Sequence, residues 1–167
     1  MRITVNRANC EDAAEILQYM KQIGTETDNL SFGEEGLPFT VESEAAYISQ
    51  IENSVDEIML VAKDNDKIVG TASLTRLPRR MKHRGDFSVS VLKEYSNKGI
   101  GSRLLREIIK FAKNNSFKVI DLQVRSDNLP AIHLYKKFGF EKIGAHPYFF
   151  KIGNEEIPFD YMCLFID

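Results

Sequence analysis

The sequence predicts an α/β fold with one central sheet of mixed, mostly antiparallel strands and helices packed against it. Three observations support this. Strand-like runs alternate with amphipathic helical patterns, no segment repeats, and no linker-like stretch divides the 167 residues. Hydrophobic residues make up 43% and charged residues 28% of the chain, which is ordinary for a globular protein. We therefore expect residues 1–167 to form a single domain.

Charge and cysteine content exclude several classes of protein. The formal net charge is -2, whereas a surface devoted to nucleic acid normally has a net basic face. Cys10 and Cys163 are far apart and outside any Cys-x-x-Cys pattern, so we expect neither a disulfide framework nor a bound metal. No apolar run is long enough for a membrane span. A reducing cytoplasm fits this composition.

The first third of the chain reads as a strand, a helix and an irregular segment. Residues 1–7 alternate apolar and polar side chains, which is typical of a half-buried strand. Asn9 can cap a helix, and Gly24 is a plausible end for it. The helix has apolar side chains at Ala13, Ile16, Leu17, Met20 and Ile23. Residues 25–42 contain glycines and a proline without periodicity, which indicates a loop or a broken helix over a site.

A second short helix and a hairpin follow. Ser43 begins the helix, and its apolar positions are Tyr47, Ile48, Ile51 and Val55. Residues 58–62 and 68–75 are rich in β-branched side chains, and Asp64-Asn65-Asp66 between them has turn chemistry. The pattern predicts two antiparallel strands.

The second half predicts a strand, a turn, a helix and a strand, then a further helix and two strands. Residues 86–92 form the first strand, and residues 119–124 form the second. The helix between them has an apolar stripe at Leu104, Leu105, Ile108, Ile109 and Ala112. Pro130 suits the first turn of the next helix, which ends at Gly139. Residues 141–148 and 157–165 are the last strands.

The turn Lys98-Gly99-Ile100-Gly101 lies between a strand and a helix. A helix N-terminus offers unpaired N–H groups and a positive dipole end, and glycine lets an anion come close to that backbone. The spacing matches neither a P-loop nor a dinucleotide fingerprint, because Leu104 stands where the latter needs a third glycine. By itself the turn indicates only a possible phosphate site.

Asn128 and Tyr135 straddle the start of the helix that contains Pro130. Considered singly, Asn128 is readily explained as a helix cap, and Tyr135 as a core aromatic residue. Their meaning depends on the glycine turn that precedes them.

The chain resembles the GNAT superfamily of N-acetyltransferases through two segments. The first runs from Val89 to Gly101, and the second from Asn128 to Phe140, in the order and spacing of the family. The resemblance implies a GNAT-like fold whose central sheet is splayed at an acetyl-CoA site. It also implies a transferase that moves acetyl from acetyl-CoA to a primary amine, with no metal.

The resemblance further implies roles for individual residues. The Val91 N–H polarises the thioester carbonyl, Asn128 lies beside the pantetheine, and the Tyr135 hydroxyl protonates the leaving thiolate as general acid. The residues expected to bind acetyl-CoA are Val89, Ser90, Val91, Asn97, Lys98, Gly99, Ile100, Gly101, Ser102, Asn128 and Tyr135. One position departs from the family, because Ser96 stands where Gln or Arg is usual.

The proton acceptor and the amine are less defined by the sequence. An ammonium of reference pKa about 10.4 must lose a proton before it attacks, and acidic side chains near the inferred cleft are candidates to take it. Asp86 is the first choice, although a solvated or capped carboxylate at a strand end is the simpler interpretation. Glu34 and Glu35 are candidate substrate contacts. The acceptor is a small metabolite, a peptide, or the N-terminus or a lysine of a protein.

Other hypotheses remain open at this stage. A non-catalytic acyl-CoA sensor or a pure interaction domain is the alternative to an enzyme, and Ser96 is the feature that favours the sensor. The exposed edges of an open sheet make a homodimer reasonable. The basic run between Arg76 and Arg84 suits a solvated hairpin, a phosphate contact or an acidic acceptor.

Overall fold

The computed structural model describes all 167 residues, and its elements follow the predicted order. The strands are β1 (Ile3–Arg7), β2 (Glu57–Asp64), β3 (Lys67–Arg76), β4 (Arg84–Val91), β5 (Val119–Arg125), β6 (Glu141–Ile152) and β7 (Glu155–Phe165). The helices are α1 (Ala13–Glu26), α2 (Val41–Ile51), α3 (Ile100–Asn114) and α4 (Leu129–Lys137). The α/β prediction is confirmed.

The seven strands form one sheet in the order β1-β2-β3-β4-β5-β7-β6. Every neighbouring pair is antiparallel except β4 and β5. That parallel pair is joined only from Arg84 to Asp86 on β4 and from Val119 to Asp121 on β5. Beyond Asp86 the two strands part, so the sheet is open at its centre.

Helices cover both faces of the sheet. A side chain added at Gly70 would touch Leu104 and Ile100 of α3, whereas the next residue, Thr71, shares a polar cluster with Tyr19 of α1. Because successive strand residues face opposite sides, α1 and α3 lie on opposite faces. One cluster of buried apolar residues spans both layers.

The end of α1 and the start of α2 differ from the sequence prediction. Gly24 does not end α1, which continues to Glu26. Gly24 is buried, and a Cβ there would overlap the Gly33 carbonyl oxygen. The residue serves close packing against the following loop. Helix α2 begins at Val41 because Thr40 is its cap, and the Ser43 hydroxyl accepts the Thr40 N–H in return at 3.0 Å.

Helix α2 is also shorter than predicted, and the last hairpin is longer. Val55 lies beyond the end of α2 and is 58% exposed, so it belongs to no helical face. Strands β6 and β7 extend past the predicted limits, with a register shift between His146 and Phe150 that absorbs Pro147. Gly139 ends α4 as predicted, with φ of 97°. None of the four helices combines the length and the apolar character that a membrane span requires.

Candidate active site at the opening of the sheet

The parting of β4 from β5 creates a cavity of about 520 Å³. Its wall combines the end of β4, the turn into α3, the inner side of α4, and the end of α1 with the loop that follows it. Residues 27–40 of the irregular segment predicted between 25 and 42 form a loop, and Thr27, Asn29 and Leu30 from it border this cavity. Distant parts of the sequence therefore meet at one site.

The free edge of β4 presents backbone groups to the cavity. The Leu92 N–H donates to the Val69 carbonyl of β3 at 2.9 Å, so it points away from β5. Because N–H groups alternate in direction along an antiparallel strand, those of Val91 and Val89 point toward β5. No strand pairs with them there, and Val89, Ser90 and Val91 all line the cavity.

The glycine turn supplies a second set of unpaired amides. Asn97 and Gly99 have positive φ angles of 59° and 78°, which curl the chain before α3. The first bond of the helix runs from the Arg103 N–H to the Gly99 carbonyl at 3.1 Å, so the N–H groups of the three residues before Arg103 have no helical partner. Those groups border the cavity at Ile100, Gly101 and Ser102. The arrangement suits a phosphate.

The cations near the turn differ from those expected. The Lys98 ammonium lies 5.2 Å from the centre of the Tyr95 ring, and Lys98 does not line the cavity. Lys93 and Lys137 do line it, and so does the exposed His133 of α4. Ser96 also borders the cavity, and its hydroxyl is 3.4 Å from the Leu92 carbonyl.

Asn128 and Tyr135 both reach the cavity while also serving local structure. Asn128 caps α4, with its side-chain oxygen 3.4 Å from the Ala131 nitrogen. The Tyr135 ring meets Phe87 edge-on at 6.2 Å and also packs on Phe140. The cap and the core aromatic interpretation are thus both met, and both side chains also border the opening of the sheet.

The Tyr135 hydroxyl has no hydrogen-bond partner within the chain, yet it is not sealed inside the core. The residue is only 7% exposed, and burial raises the pKa of Tyr135 well above its ordinary value of 10.0. The hydroxyl therefore keeps its proton at neutral pH and has that proton free to donate.

The acidic candidates lie outside the cavity that most of the expected acetyl-CoA contacts border. Asp86, Glu34 and Glu35 do not line the cavity. Asp86 stands on β4 at the last position before the strands part, and Glu35 accepts the N–H of Gly33 in its own loop at 3.0 Å. Glu26 is the one acidic side chain that borders the cavity.

Glu26 was missed because its neighbours are remote in sequence. Its carboxylate accepts the Lys93 N–H at 2.8 Å, which joins the end of α1 to the turn after β4. Tyr19, seven residues earlier on α1, lies on the same side of the helix, and its hydroxyl is 2.8 Å from that of Ser90. The seven-residue spacing is the only sequence signal that could have paired them.

Asp86 lies on the opposite face of β4 from Tyr135. Tyr135 packs on Phe87, and alternate strand residues face opposite sides. Desolvation raises the pKa of the Asp86 carboxyl, although the residue is exposed at its outer surface, and a hydrogen bond of 3.2 Å from the Gln123 amide opposes the shift. Tyr135 and Asp86, the expected general acid and general base, thus lie on opposite faces of the sheet where β4 and β5 part.

Comparison with known proteins identifies the class of this fold and site. The model of the acetyltransferase (GNAT) family matches residues 20–140. The chain therefore belongs to the GNAT family of acetyltransferases, as its two motifs indicated. A GNAT-family acetyltransferase structure from Streptococcus pneumoniae is 30% identical, with a TM-score of 0.95 over 99% of this chain and 100% of that one.

Two curated relatives are named as N-acetyltransferases. The N-alpha-acetyltransferase RimI of Mycobacterium tuberculosis is 32% identical over 57% of this chain and 59% of its own length. An L-amino acid N-acetyltransferase of Escherichia coli is 37% identical over 62% of this chain and 65% of its own length. The chain thus spans less than two thirds of either relative.

A structure from Salmonella typhimurium, described as a putative acetyltransferase with its cofactor acetyl-CoA, matches with a TM-score of 0.85 over 100% of this chain and 95% of its own. At 20% identity, this likeness extends to the fold alone.

Proposed function

We propose that the protein transfers an acetyl group from acetyl-CoA directly to a primary amine. The observation that carries the proposal is the hydroxyl of the largely buried Tyr135, which lacks a partner in the chain and borders the same cavity as the unpaired edge of β4. A leaving thiolate needs a proton donor, and a thioester needs a hydrogen-bond donor at its carbonyl. The site offers both.

The residues present fit acetyl-CoA. The curled turn at Asn97 and Gly99 and the first amides of α3 suit the pyrophosphate, and a side chain added at Gly99 would meet nothing within 4 Å. The free edge of β4 can pair with the amide groups of the pantetheine, as an added strand would. We assign Asn128 to a contact alongside the pantetheine arm. We assign Lys93 and Lys137 to the negative charge of the phosphates near the entrance of the cavity.

The proposed chemistry balances in one step. The amine nitrogen forms a bond to the acetyl carbon while the carbon–sulfur bond breaks, and the Val91 N–H holds the carbonyl oxygen. Tyr135 gives its proton to the sulfur, and Asp86 takes the proton that the amine loses. Desolvation also raises the pKa of a thiol, whose reference value is about 8.5, so a dry cleft favours protonation of the sulfur.

The acceptor is proposed only as a primary amine of a small metabolite, a peptide or a protein. A protein-directed and an amino-acid-directed enzyme are both relatives of this chain, and their names extend to this protein only as hypotheses. Glu26 borders the cavity, whereas Glu34 and Glu35 do not, so we propose Glu26 as an additional carboxylate contact for the amine.

Two further proposals concern the setting of the protein. A homodimer through the edge strand β6 is supported by Ile143 and Tyr148, which are 60% and 65% exposed. A reducing cytoplasmic environment is supported by Cys10 and Cys163, which are both free, one exposed and one buried.

Thiol release from acetyl-CoA, measured with a panel of amino acids, polyamines and short peptides, tests the function. Saturable release that depends on the amine is expected. Tight binding of acetyl-CoA without release with any amine would instead support a sensor. If neither binding nor release is observed, the result would support an interaction domain.

A further inference from the structure

Two carboxylates stand side by side where the sheet begins to open. Asp86 of β4 and Asp121 of β5 are register partners, and they form the last pair before the strands part. Cross-strand partners share one face of a sheet, with their Cβ atoms about 5 Å apart. A negative charge at that distance raises the pKa of a neighbouring carboxyl group.

Asp121 is the fixed member of the pair. It is 7% exposed, and each of its oxygens has a separate donor from the protein. The Arg84 Nε donates to one oxygen at 2.7 Å, and the Cys163 Sγ donates to the other at 2.9 Å. Burial and this hydrogen bond raise the pKa of Cys163 to about 12, so the thiol keeps its proton and remains a donor.

Asp86 is the open member of the pair. Its charged and polar neighbours are Arg84 on its own strand, Asp121 and Gln123 on β5, and Thr75 on β3, with Glu57 beyond. Helices α1 and α2 pack chiefly on β2 and β3, so these groups dominate its surroundings. Desolvation raises the pKa of Asp86, Gln123 lowers it, and Asp121 and Arg84 add smaller opposing effects.

We propose that Asp121, clamped by Arg84 and Cys163, is a positioning residue that holds Asp86 ready to accept the proton of the amine. Arg84 compensates the charge of Asp121, which allows that carboxylate to remain buried beside Asp86. The negative charge of Asp121 in turn makes Asp86 a stronger proton acceptor. The inference rests on the proposed function, which gives Asp86 its role.

The variant Asp121→Asn tests the pairing, because it removes the charge and keeps the shape. Removing a like charge lowers the pKa of Asp86, and the released Arg84 lowers it further, so the titration moves to lower pH. We expect a shift of about half a pH unit, or about threefold in proton affinity. It should appear in the carboxyl carbon-13 titration of Asp86 by NMR and equally in the acid limb of kcat/KM for the amine.

Ser88→Ala is the matched control, because Ser88 lies on the same face of β4 and its hydroxyl bonds only that of Ser73. It should move neither titration. An unchanged Asp86 titration in Asp121→Asn overturns the inference, and so does a shift in the NMR titration without one in the acid limb. If Asp121→Asn does not fold, a wild-type Asp86 titration at or below that of an ordinary aspartate overturns it.

Failure of the proposed function has a different signature. A wild-type protein that acetylates no amine has no acid limb to measure. The NMR titration then shows by itself whether the charge of Asp121 changes the pKa of Asp86.

Discussion

The part of the cleft that we propose binds acetyl-CoA, the donor side, and the part that we propose binds the amine, the acceptor side, are built from different parts of the chain. We propose that the donor side consists of residues 89–102 and 128–135, where backbone groups are set by strand pairing, two positive φ angles and a helix start. The acceptor side consists of the end of α1, the loop after it, and Asp86. It depends on side chains brought together by packing, such as Glu26 on Lys93.

This difference explains why the donor is easier to propose than the acceptor. A backbone cradle needs only a few glycines and a strand-to-helix turn, so its signature is short and continuous. A carboxylate that recognises an amine can come from any element that reaches the cavity. The donor side should therefore tolerate changes of side chain far better than changes of backbone, apart from Tyr135.

The Tyr135→Phe variant should have the largest effect, because it removes the only free proton donor on the donor side that burial keeps protonated. We expect kcat to fall by about 100-fold or more, with the affinity for acetyl-CoA within about twofold of wild type. Steady-state kinetics and calorimetry measure the two quantities. If the variant keeps wild-type turnover at every pH and binds acetyl-CoA normally, Tyr135 is not the general acid.

Asp86→Asn and Glu26→Gln compare two carboxylates of the acceptor side. We expect Asp86→Asn to lower kcat/KM for the amine by about 30-fold, since water can partly replace a lost base. Glu26→Gln keeps an oxygen that can accept the Lys93 N–H, so we expect a change of about threefold in the KM for the amine. If Glu26→Gln proves the more damaging in kcat, Glu26 rather than Asp86 takes the proton.

Gly99→Ala tests the backbone cradle and has a matched control in Gly153→Ala. Both glycines have positive φ, 78° and 60°, and neither would bring a new Cβ within 4 Å of another group. Both substitutions should cost about 1–2 kcal/mol of stability in thermal or denaturant unfolding. Only Gly99→Ala should also weaken acetyl-CoA binding, by about tenfold.

Equal affinities for acetyl-CoA in these two glycine variants would mean that the turn into α3 does not hold the pyrophosphate.

Glu34→Gln and Glu35→Gln should have the smallest effects, because neither side chain borders the cavity. We expect kcat/KM to stay within about twofold of wild type for every amine tested. A large loss of kcat/KM with peptides but not with free amino acids would indicate that this loop also contacts the acceptor.

The sequence predicted the fold and most of the residues that border the opening of the sheet because their signals are local. Alternation along β4, the glycine turn and the Pro130 helix each lie within a single segment, and each appears where it was expected. Gly24 and Glu26 were misread or missed because their roles depend on Gly33 and Lys93, which packing brings near. The sequence predicts that Lys98 belongs to the cradle but not where its side chain points, and its ammonium lies 5.2 Å from the centre of the Tyr95 ring.

The central claim is direct transfer of acetyl from acetyl-CoA to an amine at the opening of the sheet. Carbon-13 acetyl-CoA and an accepted amine, followed by NMR and mass spectrometry, test it most directly. The account predicts one N-acetylated amine for each thiol released, with no label on the protein. Thiol release without acetylated amine, or label that accumulates on the chain, would contradict it.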